Sequence, residues 1–450
     1  MKEVQPSRRQ FNAMAAAAGL ALGLPAARAQ GQSLAPIGTE PIYFRGWPFK
    51  PEVVTDNVNR YNRELHGHVD YATLTHGDYP TLIEKSLIAH DKLDIIYANP
   101  PTAVRFLEAG WIQPADDVPA FKEAYADMYP NVREAWTYKG KMLGLSYFLS
   151  TRGMVMVNMK RQKELGLEKA EPKNWDEFYA QLLELAKKGA KDVYLPHWFN
   201  EFYGISWAFL WETSNRGGKV IDPATFAPQL SADGPAGKTL AAWKAIFNAK
   251  IVPEEVLSYN EPSIVEGFGS GRYLYSTQAA YQMAVFNDPT KSKIAGAVSF
   301  LPHRGQAWGL LDSALYLRTS RKRSSDGDED ARRFQSWYGY KDQNGKIAVG
   351  QRWAENSMLF SAYKTVMNSP ETEAAYKKNL SRPEDYNALL DLYAQSLQPE
   401  VWKTVWAEEF NAFLRQRLGE FLLKNQPVAD VIGAMNNKIN ELNRKYKMAK

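Results

Sequence analysis

The stretch Asp94-Ile95-Ile96-Tyr97-Ala98 decides the fold, because a short apolar run of this kind is typical of a buried strand. Residues 69–74 before it alternate between apolar and polar side chains as a half-buried strand does, and residues 41–44 form another strand-like run. Helical patterns cover 57–65 and 80–87. Strands that alternate with helices in this order predict an α/β fold with a largely parallel sheet.

The rest of the chain carries similar signals. Asn174, followed three residues later by Glu177, predicts the start of a helix through a capping box. A strand is predicted over 308–317, and the chain becomes helical from about residue 361. The charged run 321–330 between them predicts a solvated loop.

The N-terminus has the three parts of an export signal. The paired arginines Arg8 and Arg9 precede an apolar run over 13–24, and Ala27 and Ala29 form a small-x-small cleavage pattern. The arginine pair indicates the twin-arginine route, although the Sec route stays open. We expect residues 1–29 to be removed and the mature protein to be a soluble resident of the bacterial periplasm.

Composition excludes several classes of protein. Four of the 55 basic residues and one of the 50 acidic residues lie in the signal, so the mature chain has 51 basic and 49 acidic residues. This balance gives no electrostatic reason to expect nucleic acid or an anionic membrane as partner. The chain has no cysteine, so disulfides, a thiol nucleophile, a cysteine-ligated metal and a lipidated cysteine are all excluded. No apolar run after the signal reaches the roughly 18 residues of a membrane span.

The order of segments resembles the family-1 extracellular solute-binding proteins of ABC importers, the sugar-type group that includes maltose-binding proteins. The pieces that carry the resemblance are Asp94 to Ala98, Leu107-Glu108-Ala109-Gly110-Trp111-Ile112-Gln113-Pro114, Tyr138-Lys139-Gly140-Lys141-Met142-Leu143-Gly144-Leu145, Val157-Asn158-Met159-Lys160, Trp175-Asp176-Glu177-Phe178, Phe268-Gly269-Ser270-Gly271-Arg272 and Phe300-Leu301-Pro302. The resemblance implies two α/β lobes, each a mostly parallel sheet flanked by helices, with a solute held in the cleft and enclosed by a hinge motion.

The resemblance also implies a division of the chain. Crossings between lobes are expected near 149–151, 308–310 and 350–356. The predicted segments are the signal 1–29, lobe 1 over 30–149, lobe 2 over 150–308, a return to lobe 1 over 309–352, and a helical part of lobe 2 over 353–450.

The implied partners are a small solute and the membrane permease of an ABC importer. The expected solute is a sugar or oligosaccharide, and a glycerophosphodiester, polyamine or organic acid is the alternative. We expect a monomer with no cofactor.

Candidate solute contacts follow the ends of predicted strands, where open α/β sheets bind ligands. Trp47, Tyr97 and Asn99 are placed there in the first lobe, although Tyr97 and Asn99 also fit a capped loop. Asp78 and Tyr79 lie at a helix N-terminus, where Asp78 also fits a helix cap. In the second lobe the resemblance implies contacts from His197, Trp198, Glu201, Tyr203 and Tyr281, whereas Trp211 is assigned to the core. Trp308 lies at the expected return crossing and is a further candidate contact, although it also fits the core.

The residues also offer two rival functions. Glu201 and Glu212 could form the carboxylate pair of a glycoside hydrolase, but their spacing matches no catalytic signature. His66 and His68 are the only close histidine pair and fit a solvated turn better than a metal site. We therefore predict a binding protein and no enzyme.

Overall fold

The strands of the protein assemble into separate sheets in a computed structural model, which describes residues 33–75, 79–169, 171–301 and 309–448. The strands are β1 (Ile42–Gly46), β2 (Val69–Thr73), β3 (Ile95–Ala98), β4 (Ile112–Gln113), β5 (Thr137–Tyr138), β6 (Lys141–Met142), β7 (Leu145–Arg152), β8 (Met154–Asn158), β9 (Tyr194–Leu195), β10 (Tyr275–Gln278), β11 (Val298–Phe300) and β12 (Leu310–Thr319). Leu34–Lys450 form one unit of contacting residues.

Helices cover the sheets and make up most of the last hundred residues. They are α1 (Pro51–Leu65), α2 (Tyr79–Ile88), α3 (Pro100–Glu108), α4 (Phe121–Asp127), α5 (Pro130–Trp136), α6 (Met159–Glu164), α7 (Trp175–Lys187), α8 (Ile205–Asn215), α9 (Pro235–Asn248), α10 (Glu261–Gly269), α11 (Met283–Phe286), α12 (Ser325–Gly339), α13 (Ala348–Ser357), α14 (Lys364–Met367), α15 (Pro370–Lys378), α16 (Tyr386–Gln395), α17 (Ala407–Leu423) and α18 (Val428–Lys445). Short 3-10 turns lie at Ala115–Asp117, Glu254–Ser258, Ala280–Gln282, Pro383–Asp385 and Glu400–Lys403. Among the described residues, no helix is both long and apolar enough to cross a membrane.

The first sheet has the strand order β2-β1-β3-β12-β4, and β7 pairs with β12 beside this path. β1 runs parallel to β2 and β3, whereas β12 runs antiparallel to β3, β4 and β7. All ten residues of β12 are buried. The second sheet has the order β11-β8-β10-β9, in which only β9 and β10 are parallel.

The two main sheets with their flanking helices agree with the predicted α/β fold, and β5 and β6 form a third sheet of two strands. The expectation of mostly parallel sheets is wrong for both main sheets. Both sheets are mixed, because each contains a strand that the chain enters from the other sheet. β12 returns to the first sheet after the chain has built the second, and β8 enters the second sheet directly from β7. A strand that arrives in this way can add antiparallel to its neighbours without the helical crossover that a parallel neighbour needs.

Several local predictions are confirmed. β1, β2 and β3 lie where the strand-like runs predicted them, and α7 begins at the predicted cap, where Glu177 N–H donates to Asn174 Oδ1 at 2.9 Å. The chain passes from β7 to β8 through Gly153, whose φ of 79° suits glycine. Gly153 lies two residues beyond the predicted 149–151 crossing between lobes, which stays a prediction. The predicted boundary at 352 and 353 falls inside α13.

The charged run 321–330 is not simply a solvated loop. Ser324 caps α12 by accepting from Gly327 N–H, so residues 325–330 of the run are helical. Arg321 and Arg323 both pair with Asp94, at 2.8 and 2.6 Å. The Asp94 side chain is only 1% exposed, and a buried carboxylate is stable only when opposite charges compensate it. Arg321 and Arg323 supply those charges.

Candidate functional site

A cavity of about 500 Å³ lies between the first sheet and the second. Ten aromatic side chains of the described residues line it: Trp47, Phe49, Tyr79, Tyr97, Phe106, Phe148, Phe202, Tyr203, Trp207 and Tyr281. The charged side chains in its described wall are Glu84, Arg105, Arg152, Glu261, Asp312 and Glu408. Large apolar faces combined with a few polar groups are the usual composition of a small-molecule site, and this volume is within the usual range.

One wall is built at the ends of β1 and β3. Trp47 follows β1 directly, and its ring centroid lies 5.3 Å from that of Tyr79 and 5.2 Å from that of Tyr97. The Tyr79 hydroxyl accepts from Tyr97 N–H at 2.8 Å, which ties the start of α2 to β3. Tyr97 also stacks on Tyr147, with centroids 4.1 Å apart. These contacts hold the aromatic rings of this wall in fixed positions.

Asn99 connects this wall to the C-terminal helices. Its Oδ1 accepts from Thr102 N–H at 3.1 Å and so caps α3. Its Nδ2 donates to Glu408 Oε1 at 3.4 Å, and the Thr102 hydroxyl donates to the same oxygen at 3.3 Å. Burial raises the pKa of Glu408 above its ordinary value, and the two neutral donors only partly offset that effect. Asn99 therefore combines the helix cap with a position in the cavity wall.

A buried ion cluster lies where the two sheets meet. Arg152, at the end of β7, donates from Nε to Asp312 on β12 at 2.5 Å and from Nη1 to Glu261 at 2.8 Å. The Arg152 and Asp312 side chains are each 7% exposed. Glu261 begins α10, which packs beside the second sheet. The cluster therefore joins two strands of the first sheet to a helix of the second lobe.

Two tyrosines complete this cluster on the side of the second sheet. The Tyr203 hydroxyl donates to Glu261 Oε2 at 3.1 Å, and the Tyr281 hydroxyl donates to Oε1 at 3.2 Å. The Arg152 guanidinium carbon lies 4.8 Å from the centre of the Tyr203 ring. The rings are thereby fixed in orientation while they line the cavity.

The two carboxylates of the cluster differ in pKa. Burial alone would raise the pKa of Glu261, but the Arg152 guanidinium more than offsets this and the pKa is lowered. Burial dominates for Asp312, whose pKa is raised although Arg152 opposes the change.

The structure places the remaining predicted contacts differently. His197, Trp198 and Glu201 do not line the cavity and lie behind its wall. His197 Nε2–H donates to the Tyr203 carbonyl at 2.8 Å. The pKa of His197 is lowered to about 3, mainly because the ring is buried and also because the Arg152 charge is near. Trp198 packs on Trp243, with ring centroids 4.8 Å apart. Glu201 Oε2 accepts from Glu261 N–H at 2.9 Å and so fixes the start of α10.

Some predicted residues lie outside the described part of the chain. Asp78 and Trp308 belong to the cleft predictions, and Arg8, Arg9, Ala27 and Ala29 belong to the signal. Six cleft predictions do line the cavity: Trp47, Tyr79, Tyr97, Asn99, Tyr203 and Tyr281.

Sequence reasoning missed all six charged side chains in the described part of the cavity wall. Arg152 carried a usable signal, because it follows the predicted crossing at 149–151, where a side chain can reach both lobes. Glu261 and Asp312 become relevant only as partners of Arg152. Glu408 has no local signal, because it reaches the cavity from α17 through packing of distant segments.

The rival functions gain no support from side-chain placement. Glu212 is buried away from the cavity, where its Oε2 accepts from Tyr179 and Trp243 at 2.8 Å each. Glu201 and Glu212 therefore do not form a carboxylate pair across the cavity. Within the described ranges, no group of three histidine, aspartate or glutamate side chains is placed to hold a metal ion.

Comparison with known proteins identifies the family. The model of the bacterial extracellular solute-binding proteins matches residues 49–310, more than half of the chain. No curated protein matches the chain in sequence.

Solved structures share the fold at low identity. The maltose-bound MalE3 of T. maritima has a TM-score of 0.71 and 16% identity, over 89% of this chain and 99% of that chain. A solute-binding protein of Agrobacterium vitis S4 with bound D-mannitol has a TM-score of 0.69 and 16% identity, over 91% and 99%. The cyclic alpha-maltosyl-1,6-maltose binding protein of Arthrobacter globiformis has a TM-score of 0.71 and 14% identity, over 90% and 99%. With its two-lobed α/β fold and its matching sequence, the chain belongs to the family of bacterial extracellular solute-binding proteins.

Proposed function

We propose that this protein is the periplasmic solute-binding component of an ABC importer and that it captures a sugar or polyol in the cavity between its two sheets. The observation that carries the proposal is the wall of ten aromatic rings with a small number of fixed polar groups. Sugar rings offer C–H patches to aromatic faces and hydroxyls to polar side chains, so this combination suits them.

The bound solutes of two structural neighbours support the same class. The T. maritima protein holds maltose, and the Agrobacterium vitis protein holds D-mannitol. In our proposal, Trp47, Tyr79, Tyr97 and Asn99 contact the solute from one lobe, and Tyr203 and Tyr281 contact it from the other. His197, Trp198 and Glu201 support that second wall from behind.

The proposed cycle is a hinge motion. The lobes would separate about the β7–β8 connection and the start of β12, and a solute that contacts both lobes would favour the closed form. The permease would bind that closed form and receive the solute without any catalytic step. Export by the twin-arginine route and action as a monomer belong to the same proposal.

A ligand screen by thermal shift and tryptophan fluorescence tests the function. The mature protein is exposed to neutral sugars, polyols and amino sugars, and a true ligand at 100 times its dissociation constant should stabilise the folded state by about 2.7 kcal/mol. Because Trp47 and Trp207 line the cavity, binding should also change the fluorescence. If no compound of these classes changes either signal, the proposed function is wrong.

A pair of tyrosine variants locates the site. Tyr281→Ala removes a ring from the cavity wall and should weaken binding by about 1–3 kcal/mol, by analogy with aromatic stacking on bases. Tyr125→Ala is the matched control, because Tyr125 is exposed and lies outside the cavity. Equal affinities for the two variants would remove Tyr281 from the site.

A further inference from the structure

Glu408 differs from the other charged groups that line the cavity. The Arg105 guanidinium is paired with Glu84 at 2.5 Å, and Arg152 holds both Asp312 and Glu261. Glu408 receives only neutral donors, from Asn99 and Thr102, and both bind the same oxygen, Oε1. Among the described residues, Oε2 of Glu408 has no hydrogen-bond partner.

Glu408 is half-buried in the cavity wall, and no basic side chain of the described residues forms an ion pair with it. Removing an ionised group from water is unfavourable unless an opposite charge or several hydrogen bonds compensate it. Burial accordingly raises the pKa of Glu408, since Asn99 and Thr102 oppose the effect only in part and Arg105 acts from a distance while bonded to Glu84. The missing cation can be supplied by whatever occupies the cavity.

The charge balance of the wall points the same way. The described lining residues include four carboxylates, Glu84, Glu261, Asp312 and Glu408, and two guanidiniums, both already paired. The wall therefore has an excess of negative charge and no free cation among these residues. The aromatic faces around it also favour a positive ligand, through the negative potential above each ring.

We propose that the solute bears a protonated amine, as an amino sugar or amino polyol does, and that Glu408 selects it by binding the ammonium group through Oε2. This inference rests on the proposed function and narrows its substrate class. Asn99 and Thr102 hold the carboxylate in place, and the aromatic wall covers the rest of the solute.

Matched pairs of solutes that differ only in the amine test the inference. Glucosamine is compared with glucose, and chitobiose with cellobiose, by isothermal titration calorimetry on the mature protein at pH 6, where the amines are protonated. The charged hydrogen bond should make the amine-bearing member bind about 10- to 100-fold more tightly. In Glu408→Gln, which keeps the size and an acceptor oxygen, this preference should fall to about threefold or less.

The controls separate this inference from the proposed function. Glu420→Gln removes a carboxylate from the same helix outside the cavity and should leave the preference unchanged. If the neutral members bind as tightly as the amines, or if Glu408→Gln retains the preference, the inference is overturned while the proposed function stands. If neither member of any pair binds, and no other sugar or polyol does, both are overturned. If the variant fails to fold, equal binding of amine and neutral members by the wild-type protein still overturns the inference.

Discussion

The ion cluster at the meeting of the two sheets offers the sharpest test of the packing. Arg152→Met keeps the length and apolar stem of the side chain but removes the guanidinium. Asp312 and Glu261 then lose bonds of 2.5 and 2.8 Å and remain in the protein without a cation. Asp312 is 7% exposed and Glu261 is 16% exposed, so water replaces little of what they lose.

The expected loss follows from this geometry. Removing one partner of a buried ion pair destabilises a protein by about 3–5 kcal/mol. A unit of this length should have an unfolding entropy of roughly 0.9 kcal/mol/K, so the melting temperature should fall by about 3–6 °C. Arg161→Met is the control, because that arginine forms an exposed pair with Glu164 and such pairs contribute about 0–1 kcal/mol.

The pH dependence has a definite sign. In wild-type protein the lowered pKa of Glu261 contributes stability above the unfolded pKa near about 4.3, and that stability is lost as pH falls through the folded pKa. Without Arg152, the neutral Tyr203 and Tyr281 hydroxyls oppose burial at Glu261 only weakly, and both carboxyls should have raised pKa values. The folded variant then binds more protons than the unfolded chain. The difference in free energy of unfolding between wild type and variant should therefore become smaller as pH falls from 7 toward 5.

Differential scanning fluorimetry at pH 5, 6 and 7 measures both effects. The triple variant Arg152→Met, Glu261→Gln, Asp312→Asn should recover part of the loss at pH 7, since it removes the uncompensated charges. The reasoning is refuted if Arg152→Met has the same melting temperature as wild type at pH 7. It is also refuted if the difference between the two melting temperatures does not depend on pH.

Three further perturbations test other parts of the structure. Gly153→Ala should destabilise by about 1–2 kcal/mol or more in chemical denaturation, because φ is 79° and a Cβ would lie 2.7 Å from the Trp211 ring; Gly166→Ala, with positive φ but open space, should lose less. His197 has a pKa of about 3 in the folded state, so its contribution to the free energy of unfolding should be fully present above about pH 6.5. Below that pH the free energy of unfolding should fall by about 1.4 kcal/mol per pH unit, and His197→Gln should flatten that slope. An unchanged slope would exclude His197 as its source. Asp94→Asn leaves Arg321 and Arg323 with the more distant carboxylate of Glu40, at 3.4 and 3.9 Å, and should lower the melting temperature by several degrees. An unaltered melting temperature would contradict the role given to the Asp94 ion pairs.

Local patterns predicted the elements that depend on neighbouring residues. The apolar run at β3 and the capping box of α7 are examples, since burial or a hydrogen bond within four residues determines each. The strand directions were not predictable in this way. Whether β12 joins its sheet parallel or antiparallel depends on where the chain returns, and nothing within residues 310–319 encodes that.

The candidate site shows the same division. Trp47, Tyr97 and Asn99 line the cavity because the end of a strand is a local property that the sequence displays. His197 and Trp198 also follow a strand, but their side chains are directed into the core, and sequence position does not reveal that orientation. Glu408 reaches the wall only through contacts between α17 and residues some three hundred positions earlier.

The central place of β12 in the first sheet constrains the order in which the chain can fold. The ribosome completes β1, β2, β3 and β7 and then makes every strand of the second sheet before β12 emerges. The second sheet can therefore close while the first still has an open edge along β3, and long-range closure of this kind is slow. A chain interrupted before Leu310 would keep that edge exposed and would be prone to aggregate through it.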